Sequence, residues 1–169
     1  METLILTYEY SRNEFVKAMR QYLIANGTIR KYDPAIVAVI LLFSILLRFV
    51  FALDTLGAIL LVLALIFSAL TIFLYFHLPV LVFKQNSKYH EEYTLTFSKE
   101  KIVFKTSSID SVLQWSVYSE LWESDDFYFL IQSLRLYSII PKRAFLNPAD
   151  KGAFEEIALS NIKKTKRKI

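Results

Sequence analysis

Lys142 and Arg143, which directly follow Pro141, are the chemically most suggestive pair in this 169-residue chain. Adjacent cations beside a rigid proline can hold a phosphate or an anionic head group through charge-assisted hydrogen bonds. The alternative is structural, a strand end where Arg143 pairs a carboxylate and Phe145 plugs the core. A second basic group, Lys163, Lys164, Lys166, Arg167 and Lys168, closes the sequence. Together the seven cations form one candidate binding face. Asp125 and Asp126 lie side by side in a polar stretch that reads as a turn, whereas acid/base pairs of the glycosidase kind must face each other across a substrate. His90 beside Glu91 and Glu92 could act as a base or metal ligand, but it sits in a polar connector. Ser87 and Ser107 belong to no nucleophile motif.

The residue counts narrow the chemistry further. With no cysteine there is no disulfide, thiolate nucleophile or cysteine-based zinc site. Gly27, Gly57 and Gly152 are the three glycines, too scattered to build a phosphate-cradling loop or dinucleotide fingerprint. His77 and His90 are too few and too far apart for a histidine-rich metal cage. The expectation is a non-enzymatic protein with no catalytic residue, cofactor, metal or small-molecule substrate. A net charge of +4 could suggest nucleic acid, but much of the basic excess lies in the C-terminal cluster. In a membrane protein such a cluster meets anionic lipid more simply, and no nucleic-acid partner is expected.

Hydropathy supplies the membrane. Residues 34–53 and 56–76 contain one charged residue, Arg48, and each run is about 30 Å long as a helix, the thickness of a bilayer core. Asp54 and Thr55 separate them, which predicts a two-helix transmembrane hairpin, with Pro79 marking the exit of the second span. Arg30 and Lys31 precede the first span and Lys84 and Lys88 follow the second. The positive-inside rule then places both termini in the cytoplasm of a multi-pass plasma-membrane protein. The first 25 residues lack a basic n-region and read as folded structure, so no cleaved leader is expected. Arg48, near the outer end of its helix, either snorkels to the interface or serves a pairing or gating role.

The water-facing elements come from both sides of the hairpin. Leu4, Leu6, Tyr8 and Tyr10 alternate along a half-buried strand. Ser11 and Glu14 form a capping box for an amphipathic helix whose apolar face is Phe15, Ala18, Met19, Tyr22 and Leu23, stopped by Gly27. That helix could pack in the soluble part or lie on lipid. From Tyr93 the period switches to two and predicts five or six antiparallel strands, the third near Val112–Val117 and the fourth near Ser119–Glu123. Asn147, Pro148 and Asp150 then open a C-terminal helix with Phe154, Ile157 and Ala158 on its apolar face. Trp115 and Trp122 read as packing groups before they read as a ligand platform.

Tyr93-Thr-Leu-Thr-Phe97, Leu113-Gln-Trp-Ser-Val-Tyr118, Phe127-Tyr-Phe-Leu130 and above all Ile140-Pro-Lys-Arg-Ala-Phe145 resemble the YcxB-like C-terminal domain of bacterial membrane proteins. The resemblance extends to the layout of a short N-terminal segment, two spans and this domain. It implies a bacterial inner-membrane protein with a cytosolic β module like a pleckstrin-homology (PH) domain, and it brings no catalytic residues.

The expected fold is therefore an α+β membrane protein: a two-helix transmembrane hairpin plus a cytosolic, PH-like antiparallel β-sheet closed by a C-terminal helix. Its parts are residues 1–33, a strand and helix packing on the C-terminal module; 34–83, the hairpin; and 84–169, the module. The expected role is to present the module for protein or anionic-lipid contact, with membrane lipid, a protein partner or a second copy of the chain as partners. The alternative is an accessory subunit of a transporter or sensor complex, packing through small and polar hairpin residues such as Ser44, Ala58, Ser68, Ala69 and Thr71.

Overall fold

Two separate compact units make up the protein, and the chain crosses between them twice. One unit takes the residues up to Gln21 and those from Phe83 onward; the other is Tyr22–Val82. The computed structural model describes residues 3–133, 136–167 and 169. The amphipathic helix α1 (Arg12–Ala25) holds residues of both units.

The first unit is α+β. Strand β1 (Leu4–Tyr8) pairs antiparallel with β2 (Tyr93–Phe97), Leu6 opposite Leu95, followed by β3 (Lys101–Lys105) and β4 (Asp110–Gln114) in the order β1-β2-β3-β4. A second sheet has the order β7-β6-β5-β8, from β5 (Glu120–Glu123), β6 (Phe127–Ser133), β7 (Leu136–Pro141) and β8 (Lys164–Arg167). The single antiparallel sheet expected from sequence is thus two four-stranded sheets. They separate at Trp115–Val117, where a 3₁₀ turn replaces the predicted end of the third strand. Trp115 is buried there and its indole N–H donates to the Ser98 carbonyl at 2.8 Å, which fixes the turn. The hydroxyls of Tyr8 and Tyr10 both donate to the Ile139 carbonyl, at 2.9 and 2.5 Å, tying the β1 segment of the first sheet to β7 of the second.

Helix α5 (Pro148–Asn161) supplies the center of the core. Asn147 caps it by accepting the Asp150 N–H at 2.8 Å. Phe154, fully buried, meets the rings of Phe97 at 5.0 Å, Tyr128 at 5.1 Å and Phe145 at 5.4 Å. Removing a ring so enclosed costs about 3–5 kcal/mol. β6 is buried continuously from Phe127 to Ile131, because both of its faces are covered. On α1, Phe15, Ala18, Met19, Tyr22 and Leu23 are all buried. The capping box is modified: Ser11 Oγ accepts the Glu14 N–H at 3.2 Å, but the Glu14 carboxylate is committed to Arg143.

The second unit is helical. α2 (Asp33–Phe49) packs on α3 (Asp54–Ile72) so closely that a Cβ on Gly57 would stand 2.9 Å from the Ser44 carbonyl oxygen. α2 has 17 residues and ends before residue 53, the predicted limit of the first span. The helix stops because the chain must reverse: Ala52 adopts a left-handed φ of 54°, and the Leu53 N–H caps the Leu47 carbonyl at 3.0 Å. Beyond α3, a π turn (Phe73–His77) leads into α4 (Leu78–Gln85). Together these form one 32-residue helix, Asp54–Gln85, the one described helix long and apolar enough to cross a membrane. The helix continues unbroken through Pro79. Pro79 has no N–H to offer Tyr75, and the preceding turn widens so that the Leu78 N–H reaches Phe73 instead.

Candidate functional site

Lys142 and Arg143 occupy a 3₁₀ turn at the end of β7 and diverge to different partners. Arg143 turns toward the N-terminal segment. Its Nε donates to Glu14 Oε1 at 2.7 Å, and its Nη2 donates to Glu14 Oε2 at 2.7 Å and to the Glu9 carbonyl at 2.6 Å. The Glu14 hydrogen bonds, against the opposing effect of burial, raise the Arg143 pKa above its ordinary value. A neighboring cleft of about 370 Å³ is lined by Glu14, Lys17, Asp125, Asp126, Lys142 and Arg143, among others. Lys17 and Asp126 pair across it at 2.6 Å, so its charges are largely compensated.

Lys142 instead meets Glu123 on β5, which organizes the other cations. Glu123 Oε1 accepts from Lys142 Nζ at 2.8 Å, and Oε2 stands 3.8 Å from Arg167 Nε on β8. Burial pushes the Glu123 carboxyl up, but the Lys142 hydrogen bond and charge, with Lys151 and Arg167, outweigh it and hold the pKa below the ordinary carboxylate range. Lys142 Nζ also stands 4.9 Å over the Tyr128 ring, and Lys166 Nζ 4.8 Å over the Trp122 ring. The Tyr128 hydroxyl donates to Glu155, whose carboxylate faces Lys151 Nζ at 3.9 Å. Burial and then the Glu155 carboxylate push the Tyr128 phenol pKa up.

The predicted basic tail is a strand. β8 runs parallel to β5, Glu123 opposite Arg167 and Trp122 opposite Lys166, and all four β8 residues are exposed. Lys163 is exposed just before it, and Lys168 lies outside the described residues. Glu123 therefore joins Lys142 to the C-terminal cations, while Arg143 belongs to a different ion pair. The cavity between Glu123, Glu155 and Arg167 measures about 10 Å³, room for one water at most.

Sequence reading passed over Glu123, Lys151 and Glu155. The one available signal for Glu123 was an acid at a strand end beside a buried tryptophan, which says nothing of the partners that tertiary structure supplies.

The remaining candidates have structural partners. His90 Nε2 is 3.1 Å from the Phe83 carbonyl. The Glu91 carboxylate accepts from the Ser108 hydroxyl at 2.7 Å and its N–H at 3.2 Å. Hydrogen bonds from Thr106 first, then Ser108 and Ser107, bring the Glu91 pKa down to about 2. Arg48, in the helical unit, stands 3.7 Å from Asp54 across the α2–α3 turn. Among the described residues no group of three His, Cys, Asp or Glu side chains could hold a metal ion.

Two sheets packed with a capped helix, and a cationic outer strand, define an α+β protein with an exposed charged face. Residues 97–158 match the family model described as YcxB-like protein, a stretch running from the last residue of β2 into α5. Lys142 and Arg143 lie inside that match; Arg48 and the β8 cations lie outside it. No curated protein and no solved structure matches the chain.

Proposed function

We propose that this is a non-enzymatic, membrane-held binding protein, whose helical unit anchors it in the inner membrane and whose α+β unit is a PH-like module in the cytoplasm. The two apolar helices α2 and α3 span the bilayer in this reading, with both termini cytoplasmic. Support comes from the single long apolar helix, the basic residues flanking the helical pair, and two sheets closed by a C-terminal helix. The observation that carries the binding role is the convergence of Lys142 and Arg167 on Glu123 beside the exposed strand β8. Lys163, Lys164 and Lys166 extend this cluster into a basic face that suits an acidic protein segment or an anionic lipid surface.

An accessory-subunit role through the helices has less behind it. Ser44, Gly57 and Ala64 are buried in the helical unit, whereas Val62, Leu63, Ile66 and Leu70 are exposed, a face suited to acyl chains more than to close helix packing.

The test is affinity capture of tagged full-length protein from gently solubilized membranes, with a Lys164→Glu/Lys166→Glu variant alongside. Contact of both reconstituted proteins with phosphatidylglycerol vesicles is measured in parallel. The reading expects the variant to lose a captured acidic protein or its vesicle contact. If neither differs between the two proteins, the basic face is not a binding face.

A further inference from the structure

A groove of about 300 Å³ lies within the helical unit, at the lower end of the range of about 300–1,000 Å³ typical of ligand pockets. Ile24, Ile29 and Pro34 line it from one side of the sequence, and Ile72, Tyr75 and Phe76 from the other. Arg30 and Lys31 complete the wall. We propose that this groove holds an anionic phospholipid, its phosphate on Arg30 and Lys31 and the start of an acyl chain along the apolar wall. The inference rests on the membrane reading above and gives the helical unit a lipid-selective site of its own, independent of the basic face on β8.

Three observations converge on an anionic lipid. The first is charge. Arg30 and Lys31 are exposed, and among the described residues neither side chain makes an ion pair. The nearby acid, Asp33, is buried and uses its Oδ2 to accept the Arg30 backbone N–H at 2.8 Å, leaving the guanidinium to other partners. The second is depth. Tyr75 lies 21 helical steps after Asp54 in a continuous helix, which at 1.5 Å per residue is about 30 Å, one bilayer core. With the Arg48–Asp54 pair at one interface, the groove lies at the other, where phosphates and tyrosine side chains both collect.

The third is the π turn at Phe73–His77, which forms part of the groove wall. Its extra residue rotates the following side chains by about 100° relative to a regular helix. The Thr71 hydroxyl is turned away to the Phe67 carbonyl at 2.9 Å, so the wall between the cations and the rings has little polar character to compete with an acyl chain. A free phosphate would use the cations and leave the apolar wall unused; a phospholipid uses both.

The experiment is native mass spectrometry of the full-length protein in detergent, with equal amounts of phosphatidylglycerol and phosphatidylcholine. The wild type should retain phosphatidylglycerol selectively. Arg30→Gln/Lys31→Gln should lower that selectivity about twenty-five-fold, each charge contributing about fivefold. Thr71→Trp, which fills the groove, should reduce retention of both lipids, while Lys105→Ala, which removes a cation paired with Asp110 and outside both basic sites, should leave selectivity unchanged. Equal retention of the two lipids by the wild type, or unchanged selectivity in Arg30→Gln/Lys31→Gln at an unaltered melting temperature, overturns the proposal. Alkaline carbonate washing of native membranes separates the two levels. A chain that stays in the pellet without lipid selectivity refutes the groove alone, whereas a chain that washes off refutes the membrane reading and the groove with it.

Discussion

Arg143→Ala is expected to destabilize the α+β unit whether or not this residue ever meets a ligand. The substitution removes three charge-assisted hydrogen bonds, two to Glu14 and one to the Glu9 carbonyl. Arg143 is about half exposed, its side chain 55% accessible, so solvent screens much of its contribution. The Glu14 side chain is only 15% accessible and loses its main partner. A screened bidentate pair contributes about 1 kcal/mol, and a largely buried carboxylate left unpaired costs about another 1 kcal/mol. The sum, about 2 kcal/mol, lowers the melting midpoint by roughly 8 °C. Arg143→Lys recovers less than half, because an ammonium cannot reproduce the planar fork. Trp115 and Trp122 both belong to the α+β unit, so tryptophan fluorescence of the full-length protein in detergent reports that unit. A double-mutant cycle with Glu14→Gln should show coupling of about 1 kcal/mol. Coupling below about 0.3 kcal/mol would refute the assignment of Arg143 to the Glu14 pair and return it to the candidate binding face.

Two further outcomes test the geometry. Gly57→Val places a branched side chain where a Cβ alone would stand 2.9 Å from the Ser44 carbonyl and 3.1 Å from the Arg48 backbone nitrogen. Overpacking of about 2 kcal/mol should exceed any gain in helix propensity, lower the melting temperature followed by far-UV circular dichroism, and speed proteolysis at the turn around Ala52; an unchanged melt contradicts the close packing of α2 on α3. Glu91 has its folded pKa lowered to about 2 from 4.5, so its contribution is complete above pH 4.5 and is lost as the pH falls toward 2. Glu91→Gln should flatten that part of the pH–stability profile, and a profile identical to the wild type's rejects the hydroxyl cradle around Glu91.

Elements with a local cause could be read from the sequence. Alternation in Tyr93–Phe97 and the Asn147-Pro148 start of α5 depend on neighbors a few residues apart, and the structure has both. β8 carried no such signal. Lys-Thr-Lys-Arg has neither apolar alternation nor strand-forming bulk, and it becomes a strand because β5 offers an edge beside it. The split into two sheets was hidden for a similar reason, since the indole of Trp115 fixes the turn through Ser98, a contact across the fold. The end of α2 at Phe49 was masked by an apolar run that continues unbroken to Leu53; only a left-handed Ala52 reveals the reversal. In the candidate site the cations were visible as types, but their grouping by Glu123 required β5, β7 and β8 to be brought together.

The pairing of β1 with β2 sets a schedule for biosynthesis. Leu4 lies opposite Phe97 and Tyr8 opposite Tyr93, and the whole helical unit is translated between them. At about 5–20 residues per second, β1 waits roughly 5–20 s after leaving the ribosome before its partner strand exists. Throughout that interval its apolar face, Leu6 and Tyr8, has no sheet to join, while the helical unit emerges and reaches its own environment. Completion of the first sheet is thus a late event in the life of the nascent chain. The N-terminal strand therefore stays without its partner until translation has passed Phe97.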